Sequence, residues 1–208
     1  MEIESKYTVS GPLDPDTLPL LDLSPYHLRP LKDAHHHDVH LDTPGHKISG
    51  ASCGVRIRRE EGTTKLTFKS LGQYSEGVHE REELEEELPP GAEFDVQRWP
   101  PSIAGRVREI VGDEPIVPLF EIKIRRRTWA VERAARVIGE LAFDEGNIIA
   151  GERTEPLCEI EVEIKENGSR ADLAELGRHL LDLLPLHPES RTKRHRGLAL
   201  LAASADQW

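Results

Sequence analysis

Residues 159–165 read EIEVEIK, an unbroken alternation of charged and apolar side chains. In a β-strand successive side chains point to opposite faces, so the glutamates and the isoleucine and valine residues separate completely. The same alternation returns in VRIR at 55–58 and in LTFK at 66–69. These stretches predict strands of an antiparallel sheet that has one apolar face and one densely charged face.

Period-two segments separated by Gly and Pro breakers extend this pattern along the chain. They predict strands at 2–8, 36–42, 54–60, 64–70, 78–88, 119–130, 136–144, 157–166 and 196–201. Helical periodicity predicts three helices, at 14–22, 102–111 and 172–184. Because most connections are short, the strands are expected to pair antiparallel in one α+β domain covering 1–208.

Composition narrows the function classes. The net charge of −11 disfavours general nucleic-acid binding, and the longest apolar run, 198–203, is too short to span a membrane. No signal peptide precedes Glu2, and two cysteines, Cys53 and Cys158, cannot build a disulfide framework. A cytoplasmic protein with both cysteines as core fillers is therefore expected. The run His35–His37 is interpreted as an exposed strand entry, because zinc sites favour spaced ligands.

The charged faces are segregated by sign. Positions 2–4, 83–85 and 159–163 are acidic, whereas 56–58, 65–69 and 123–127 are basic. An ordinary solvated face is the alternative interpretation, but such a face mixes in more Ser, Thr and Gln. If the strands close into a barrel, the charged faces could line a wet lumen that exists for a ligand. Polyphosphate with Mg²⁺ or Mn²⁺ suits both signs of charge.

The N-terminal Glu2-x-Glu4-x-Lys6 resembles the ExExK signature of the CYTH, or triphosphate tunnel metalloenzyme, superfamily. Further segments resemble the bacterial inorganic triphosphatase branch in the expected order: His40-Leu-Asp-Thr43, Val55-Arg-Ile-Arg58, Leu66-Thr-Phe-Lys69, Arg81-x-Glu83-x-Glu85, Lys123-x-Arg125, Ala142-Phe-Asp-Glu-Gly146, residues 159–165 and Thr192-Lys-Arg-His-Arg-Gly197. His40 replaces the usual Tyr and Thr192 the usual Ser. The resemblance implies an eight-stranded antiparallel β-barrel, the triphosphate tunnel, with helices packed outside. Many members of the branch continue into a helical CHAD domain, for which no residues follow Trp208.

Together with phosphoryl-transfer chemistry, the resemblance implies roles for individual residues. The expected metal ligands are Glu2, Glu4 and Glu161 for a first ion. The candidates for a second ion are Glu159, Glu163, Glu83, Glu85 and Asp144. The expected phosphate-binding residues are Arg56, Arg58, Lys69, Lys123, Arg125 and Lys193. Lys6, Glu85 and Glu159 are the expected catalytic residues, and Lys65, Arg81, Arg127 and Lys165 are placed near the tunnel mouths.

The predicted function is hydrolysis of inorganic tripolyphosphate to pyrophosphate and phosphate, dependent on Mg²⁺ or Mn²⁺. The alternatives are a class IV adenylate cyclase, a thiamine-triphosphate or nucleotide triphosphatase, and a non-catalytic polyphosphate-binding module. Paired carboxylates favour an enzyme, because a binder needs only the basic residues. The few, scattered aromatic residues predict no platform for a base, and hence poor use of ATP. No nucleic-acid or membrane partner is expected, and a homodimer is left open.

Overall fold

The computed structural model describes residues 2–70, 72–75 and 77–205, so both ends of the predicted domain, Met1 and 206–208, lie outside the described residues. Eleven strands form one antiparallel sheet. They are β1 (Glu2–Val9), β2 (Tyr26–Asp42), β3 (Cys53–Glu60), β4 (Thr63–Ser70), β5 (Gln73–Ser75), β6 (Val78–Arg81), β7 (Glu83–Glu87), β8 (Val117–Arg133), β9 (Arg136–Ala150), β10 (Arg153–Ile164) and β11 (Leu186–Pro188). The helices are α1 (Lys47–Gly50), α2 (Pro101–Val111), α3 (Arg170–Leu183) and α4 (Lys193–Ala205), with short 3₁₀ helices at Pro15–Leu20 and Val96–Arg98.

The sheet curls around a central cavity. Its strand order is β5-β6-β1-β10-β9-β8-β2-β3-β4-β7, with β11 on the side of β1. The ladder is not closed, but only Glu82 separates β6, which borders β1, from β7, which borders β4. The Glu82 carbonyl accepts a hydrogen bond from the Ser70 amide at 3.1 Å, which holds the two ends of the sheet together. The antiparallel tunnel fold is confirmed, but strand number and closure differ. The predicted strand 78–88 breaks at Glu82 into β6 and β7, and the short strands β5 and β11 were not predicted.

The outward apolar faces lie beneath α2 and α3. Ile160 and Val162 of β10 pack with Leu173, Leu176 and Leu180 of α3. Val55, Ile57, Leu66 and Phe68 pack in the same way with Ile103 and Val107 of α2. The α3 helix begins at a capping box in which Ser169 and Asp172 satisfy each other's backbone amides. These contacts explain why the charged faces of the same strands point inward.

The predicted strand at 196–201 is wrong, because these residues belong to α4. The run Leu198–Ala203 consists of leucine and alanine, which favour a helix when tertiary contacts allow it. This helix packs on the inward side of β8, where Phe120, Ile122 and Ile124 are buried. A Cβ atom at Gly197 would lie 2.2 Å from the Phe120 ring, so the glycine permits the close approach.

Smaller differences concern the predicted helix 14–22 and the strand 36–42. The first is a 3₁₀ helix at Pro15–Leu20, which contains Pro19 and therefore lacks a backbone donor for a regular α-helix. The second is part of the much longer β2, which runs from Tyr26 and pairs with β8 over most of its length. In the described part of the chain, no helix is both long and apolar enough to cross a membrane.

Candidate active site

The inward side chains surround a cavity of about 420 Å³. Its described lining contains nine acidic and nine basic residues, so the ionised groups balance. The acidic residues are Glu2, Glu4, Asp38, Glu80, Glu83, Glu85, Glu140, Glu161 and Glu163, and the basic residues are Lys6, Arg56, Arg58, Lys69, Arg81, Arg126, Lys165, Lys193 and Arg194. The prediction of a charged interior shared by several strands is therefore confirmed.

In one corner of the cavity, ion pairs connect β1 with β6 and with β4. Arg81 donates to Glu2 at 2.6 Å and to Glu4 at 2.8 Å. Lys69 reaches across from β4 to Glu2 at 3.1 Å and to Glu83 at 2.9 Å. Burial alone would raise the pKa of Glu2, but the charges of Lys69 and Arg81 hold it well below its ordinary value. Glu2 is therefore ionised at neutral pH.

The centre of the cavity is organised around Glu161. This carboxylate contacts Lys6 at 2.7 Å, Arg126 at 2.6 Å and Lys193 at 2.6 Å. Burial opposes ionisation, but the three cations keep the pKa of Glu161 well below its ordinary value. Conversely, burial would lower the pKa of Lys193, yet Asp144, Glu159 and Glu161 raise it above its ordinary value. Both groups are therefore charged at neutral pH.

A third group of ion pairs lies on β2 and β3. Asp38 accepts from Arg58 at 2.7 Å through both oxygens and from Arg56 at 3.1 Å. Arg56 also approaches Glu83 at 3.6 Å and Glu85 at 3.8 Å. Its guanidinium thus faces carboxylates on both sides, in the planar arrangement that also suits a phosphate.

The structure brings most of the predicted site residues to this cavity. Lys6, Glu85, Arg56, Arg58, Lys69, Lys193, Glu2, Glu4, Glu161 and Glu163 all line it. Glu159 and Asp144 are fully buried behind the lining, where they contact Lys193 at 2.7 and 2.9 Å. These two carboxylates therefore contact the lysine and do not line the cavity, and their role as ligands of a second ion stays a prediction.

The predicted placement of Lys123 and Arg125 in the lumen is wrong. Both lie on the outer face of β8, where Lys123 pairs with Glu121 at 2.9 Å and Arg125 with Asp33 at 2.6 Å. The rule that charged residues point inward predicts the wrong face for β8. In this strand the apolar residues point inward instead, because α4 packs against them inside the sheet.

Three important residues of the cavity were not predicted as ligands. Arg126 donates to Asp144 through Nε at 2.6 Å and through Nη2 at 2.5 Å, and Nη2 also donates to Glu161. Because residues 125–127 are all arginines, the alternation of residue types does not show which of them points inward. Asp38 could have been found from its period-two spacing with His36 and His40. Arg81, predicted near a mouth, lies in the corner of Glu2 and Glu4.

His40 is a neutral group in this charged setting. Its ring stacks on Phe120, with centroids 4.5 Å apart and an interplanar angle of 14°. Burial, reinforced by Arg56 and Arg194 against the opposing charge of Asp38, lowers its pKa to about 3. The prediction of an exposed strand entry at His35–His37 is wrong, because these residues lie in the middle of β2, where His36 is buried. His35 is exposed, and His37 is half-buried and contacts Glu121 at 2.8 Å on the outer face. The cysteines form no disulfide, and burial together with nearby acids raises the pKa of Cys158 to about 11.

The carboxylates provide the oxygen donors that Mg²⁺ and Mn²⁺ prefer. Burial first, and then the charges of Glu2 and Glu4, raise the pKa of Glu163 despite its ion pair with Lys165. The side chains are turned towards Arg81 and the lysines, and no set of three His, Cys, Asp or Glu side chains in the described residues converges on one point. The donor chemistry therefore fits a divalent ion, with side-chain rotation needed to complete a site.

Comparisons with known proteins agree with the fold. The CYTH domain model matches residues 1–198. An inorganic triphosphatase of Haemophilus influenzae is 31% identical over 172 residues, which cover 78% of this chain and 45% of that protein. This chain therefore spans about half the length of the curated relative it matches.

Solved structures add support for the architecture. A putative adenylyl cyclase from Hippeastrum, described as having a dominant triphosphatase activity, superposes with a TM-score of 0.69 at 26% identity, covering 98% of this chain and 96% of that one. A putative adenylate cyclase from Bacillus halodurans has a TM-score of 0.61 at 15% identity, covering 94% and 96% of the two chains. The second similarity shows the fold alone.

Proposed function

Because this chain belongs to the CYTH domain family, we propose that it hydrolyses inorganic tripolyphosphate to pyrophosphate and phosphate with the help of Mg²⁺ or Mn²⁺. The observation that carries the proposal is the cavity, whose described lining contains nine acidic and nine basic residues. Its basic groups suit a short polyanion, and its acidic groups suit the cations that accompany one. The triphosphatase relative from Haemophilus influenzae and the Hippeastrum protein support the same activity.

Phosphate binding is assigned to basic residues from several sides of the cavity: Arg56, Arg58, Lys69, Arg126 and Lys193. Each of them is already neutralised by a carboxylate in the structure. A bare polyanion would have to displace these carboxylates and leave them buried beside it. Entry as a metal complex would remove this difficulty, because the carboxylates displaced from the basic groups could hold the divalent cations while the basic groups bind the phosphates.

The carboxylates that would hold a first ion are Glu2, Glu4 and Glu161, with Glu163 as a candidate for a second. A bound divalent ion supplies charge neutralisation of the phosphate oxygens and a water of lowered pKa. Lys6, which contacts Glu161 at 2.7 Å, orients that carboxylate. Glu85 lines the cavity beside Arg56 and Lys65, where it positions basic groups for the phosphate chain.

Lys193 is held in place by the residues behind it. Glu159 contacts Lys193 at 2.7 Å and is itself bound by Arg196 at 2.6 Å. Both Lys193 and Arg196 belong to α4, so the buried glutamate fixes the beginning of this helix against β10. We assign Glu159 a positioning role, which keeps a protonated lysine directed at the phosphate chain.

Two other features belong to the proposal. The absence of a disulfide between Cys53 and Cys158 is consistent with a reducing compartment such as the cytoplasm. The carboxylates argue against a module that only binds polyphosphate, because binding alone would be weakened by nine acidic residues in the lining.

A phosphate-release assay on the purified chain tests the proposal. Tripolyphosphate, ATP and thiamine triphosphate are each supplied with Mg²⁺, with Mn²⁺ or with EDTA. We expect release from tripolyphosphate that disappears with EDTA. ATP should be at least about tenfold poorer in kcat/KM, because a nucleoside replaces one charged end and loses a charge-assisted contact. Cyclic AMP among the products would identify a cyclase, and binding without release would identify a polyphosphate-binding module.

A further inference from the structure

Tyr74 gives the charged cavity an aromatic surface that the sequence did not predict. It is the only Phe, Tyr or Trp among the described residues that line the cavity, and it retains 46% of its exposure. The other Phe, Tyr and Trp residues of the described chain lie outside the cavity lining, and most of them belong to the apolar clusters beneath the helices. The exposed face of this ring offers an apolar, π-electron contact that the charged groups of the lining do not provide.

The ring is supported from one side. Tyr74 of β5 pairs directly with His79 of β6, and their ring centroids are 4.7 Å apart with the planes inclined by 45°. His79 is buried and its Nε2 lies 3.4 Å from the carbonyl oxygen of Glu189, which fixes its orientation. The tyrosine therefore rests on a fixed imidazole while nearly half of its surface stays open.

The register connects this aromatic pair to the carboxylates. His79 is opposite Glu4 of β1, and Glu4 is opposite Glu163 of β10. Tyr74, His79, Glu4 and Glu163 thus form one inward row across four neighbouring strands, all of them lining the cavity. With strands about 4.8 Å apart, the Tyr74 backbone lies about 10 Å from that of Glu4, within the reach of a group attached to one end of a triphosphate.

We propose that Tyr74, backed by His79, is a stacking site for a flat heteroaromatic group carried on one end of a triphosphate, such as the base of a nucleoside triphosphate. This inference rests on the proposed function, because it takes the cavity as the site of the triphosphate. Base–aromatic stacking tolerates any base, since each has a π-face. The platform thus gives nucleoside triphosphates part of the affinity that they lose by lacking one charged end.

The test compares three substrates in two variants. Tyr74→Ala removes the ring, whereas Tyr74→Phe keeps it. Tripolyphosphate lacks an organic group, and methyl triphosphate has the charge of ATP without a base. We expect Tyr74→Ala to lower kcat/KM for ATP about five- to a hundredfold while leaving tripolyphosphate and methyl triphosphate unchanged. Tyr74→Phe should keep the wild-type values, because stacking does not need the hydroxyl.

A matched control is Phe94→Ala, which removes an exposed aromatic ring that is not in the described lining. It should alter none of the three values. Equal losses for all substrates in Tyr74→Ala, or no loss for ATP, would overturn the platform. Calorimetric titration of Mg–ATP into wild type and Tyr74→Ala separates the two proposals. If wild type fails to hydrolyse tripolyphosphate, the proposed function fails, yet unequal ATP affinities would still support the platform and equal affinities would refute it.

Discussion

Glu161 and Glu163 face the same cavity from the same strand, but their surroundings are opposite. Glu161 contacts three cations, whereas Glu163 has Lys165 alone as an ion-pair partner among the described contacts and is repelled by Glu2 and Glu4. The acidic positions 2–4 and 159–163 predict mutual repulsion, so that loss of the charge of Glu4 or Glu161 would raise the stability of the ligand-free protein. The structure contradicts this expectation for Glu161, because its charge neutralises buried lysine and arginine side chains.

The two glutamates therefore make a matched pair for mutation. Glu161→Gln should lower the free energy of unfolding by about 3 kcal/mol, because it leaves buried cations without their partner. Glu163→Gln should change it by less than about 0.5 kcal/mol or raise it, since the carboxylate is partly exposed and repelled by its neighbours. Urea unfolding at neutral pH measures both. A larger loss in Glu163→Gln than in Glu161→Gln would contradict the charge arrangement described here.

The buried histidines make stability depend on pH. Burial lowers the pKa of His36 to about 4 and that of His40 to about 3, with arginine charges adding to the effect. The unfolded chain binds protons on both below about pH 6.5, whereas the folded chain does not. Stability from these groups is complete above pH 6.5 and falls as the pH is lowered, by about 1.4 kcal/mol per pH unit for each histidine.

Replacing His40 should remove the contribution of this histidine to the pH dependence of the unfolding free energy. We expect His40→Gln to flatten the dependence of the unfolding free energy between pH 6.5 and 5 by about 1.4 kcal/mol per pH unit. Wild type and variant are compared by urea unfolding at several pH values in that interval. Parallel curves would show that His40 is protonated in the folded protein, contrary to its buried position.

At the level of elements, the alternation of residues predicted the strands well and their faces less well. The face of β10 could be predicted because Ile160 and Val162 meet a leucine-rich helix outside the sheet. The face of β8 could not be predicted, because the alternation of residues does not show whether the apolar side of a strand packs inside or outside the sheet. The apolar side of β8 packs against α4, whose leucines contact Ile122 and Ile124 inside the sheet. The short apolar run in α4 did not predict a helix.

A substitution at Gly197 tests whether α4 packs closely against β8. Gly197→Ala should lower the free energy of unfolding by about 1–3 kcal/mol, because the added methyl group would collide with Phe120. Activity should fall as well, since displacement of α4 moves Lys193. The control is Gly105→Ala in α2, where a Cβ atom has open space. There the higher helix propensity of alanine should raise stability by about 0.5–1 kcal/mol. A neutral Gly197→Ala would argue against close packing of α4 inside the sheet.

For the whole molecule, the position of the site follows from how the sheet curls. The sequence located Glu2, Glu4, Arg56 and Glu161 in the cavity because each lies in a strand whose apolar face is unambiguous. The sequence could not predict which of the charged residues form ion pairs. Lys69, for example, contacts Glu2 because the two ends of the sheet lie next to each other. Nor could the sequence distinguish Glu159, which is buried behind Lys193, from Glu161, which lines the cavity.

The central claim is that the inner charges, and not the outer ones, act on tripolyphosphate. Arg56 and Arg125 were both predicted to bind phosphate, but only Arg56 lines the cavity, whereas Arg125 pairs with Asp33 outside. The decisive measurement is kcat/KM for tripolyphosphate with Mg²⁺ in Arg56→Ala and Arg125→Ala. We predict a loss of about ten- to a hundredfold or more for Arg56→Ala, and a value within about threefold of wild type for Arg125→Ala. Equal losses in the two variants, or full activity of Arg56→Ala, would contradict the account.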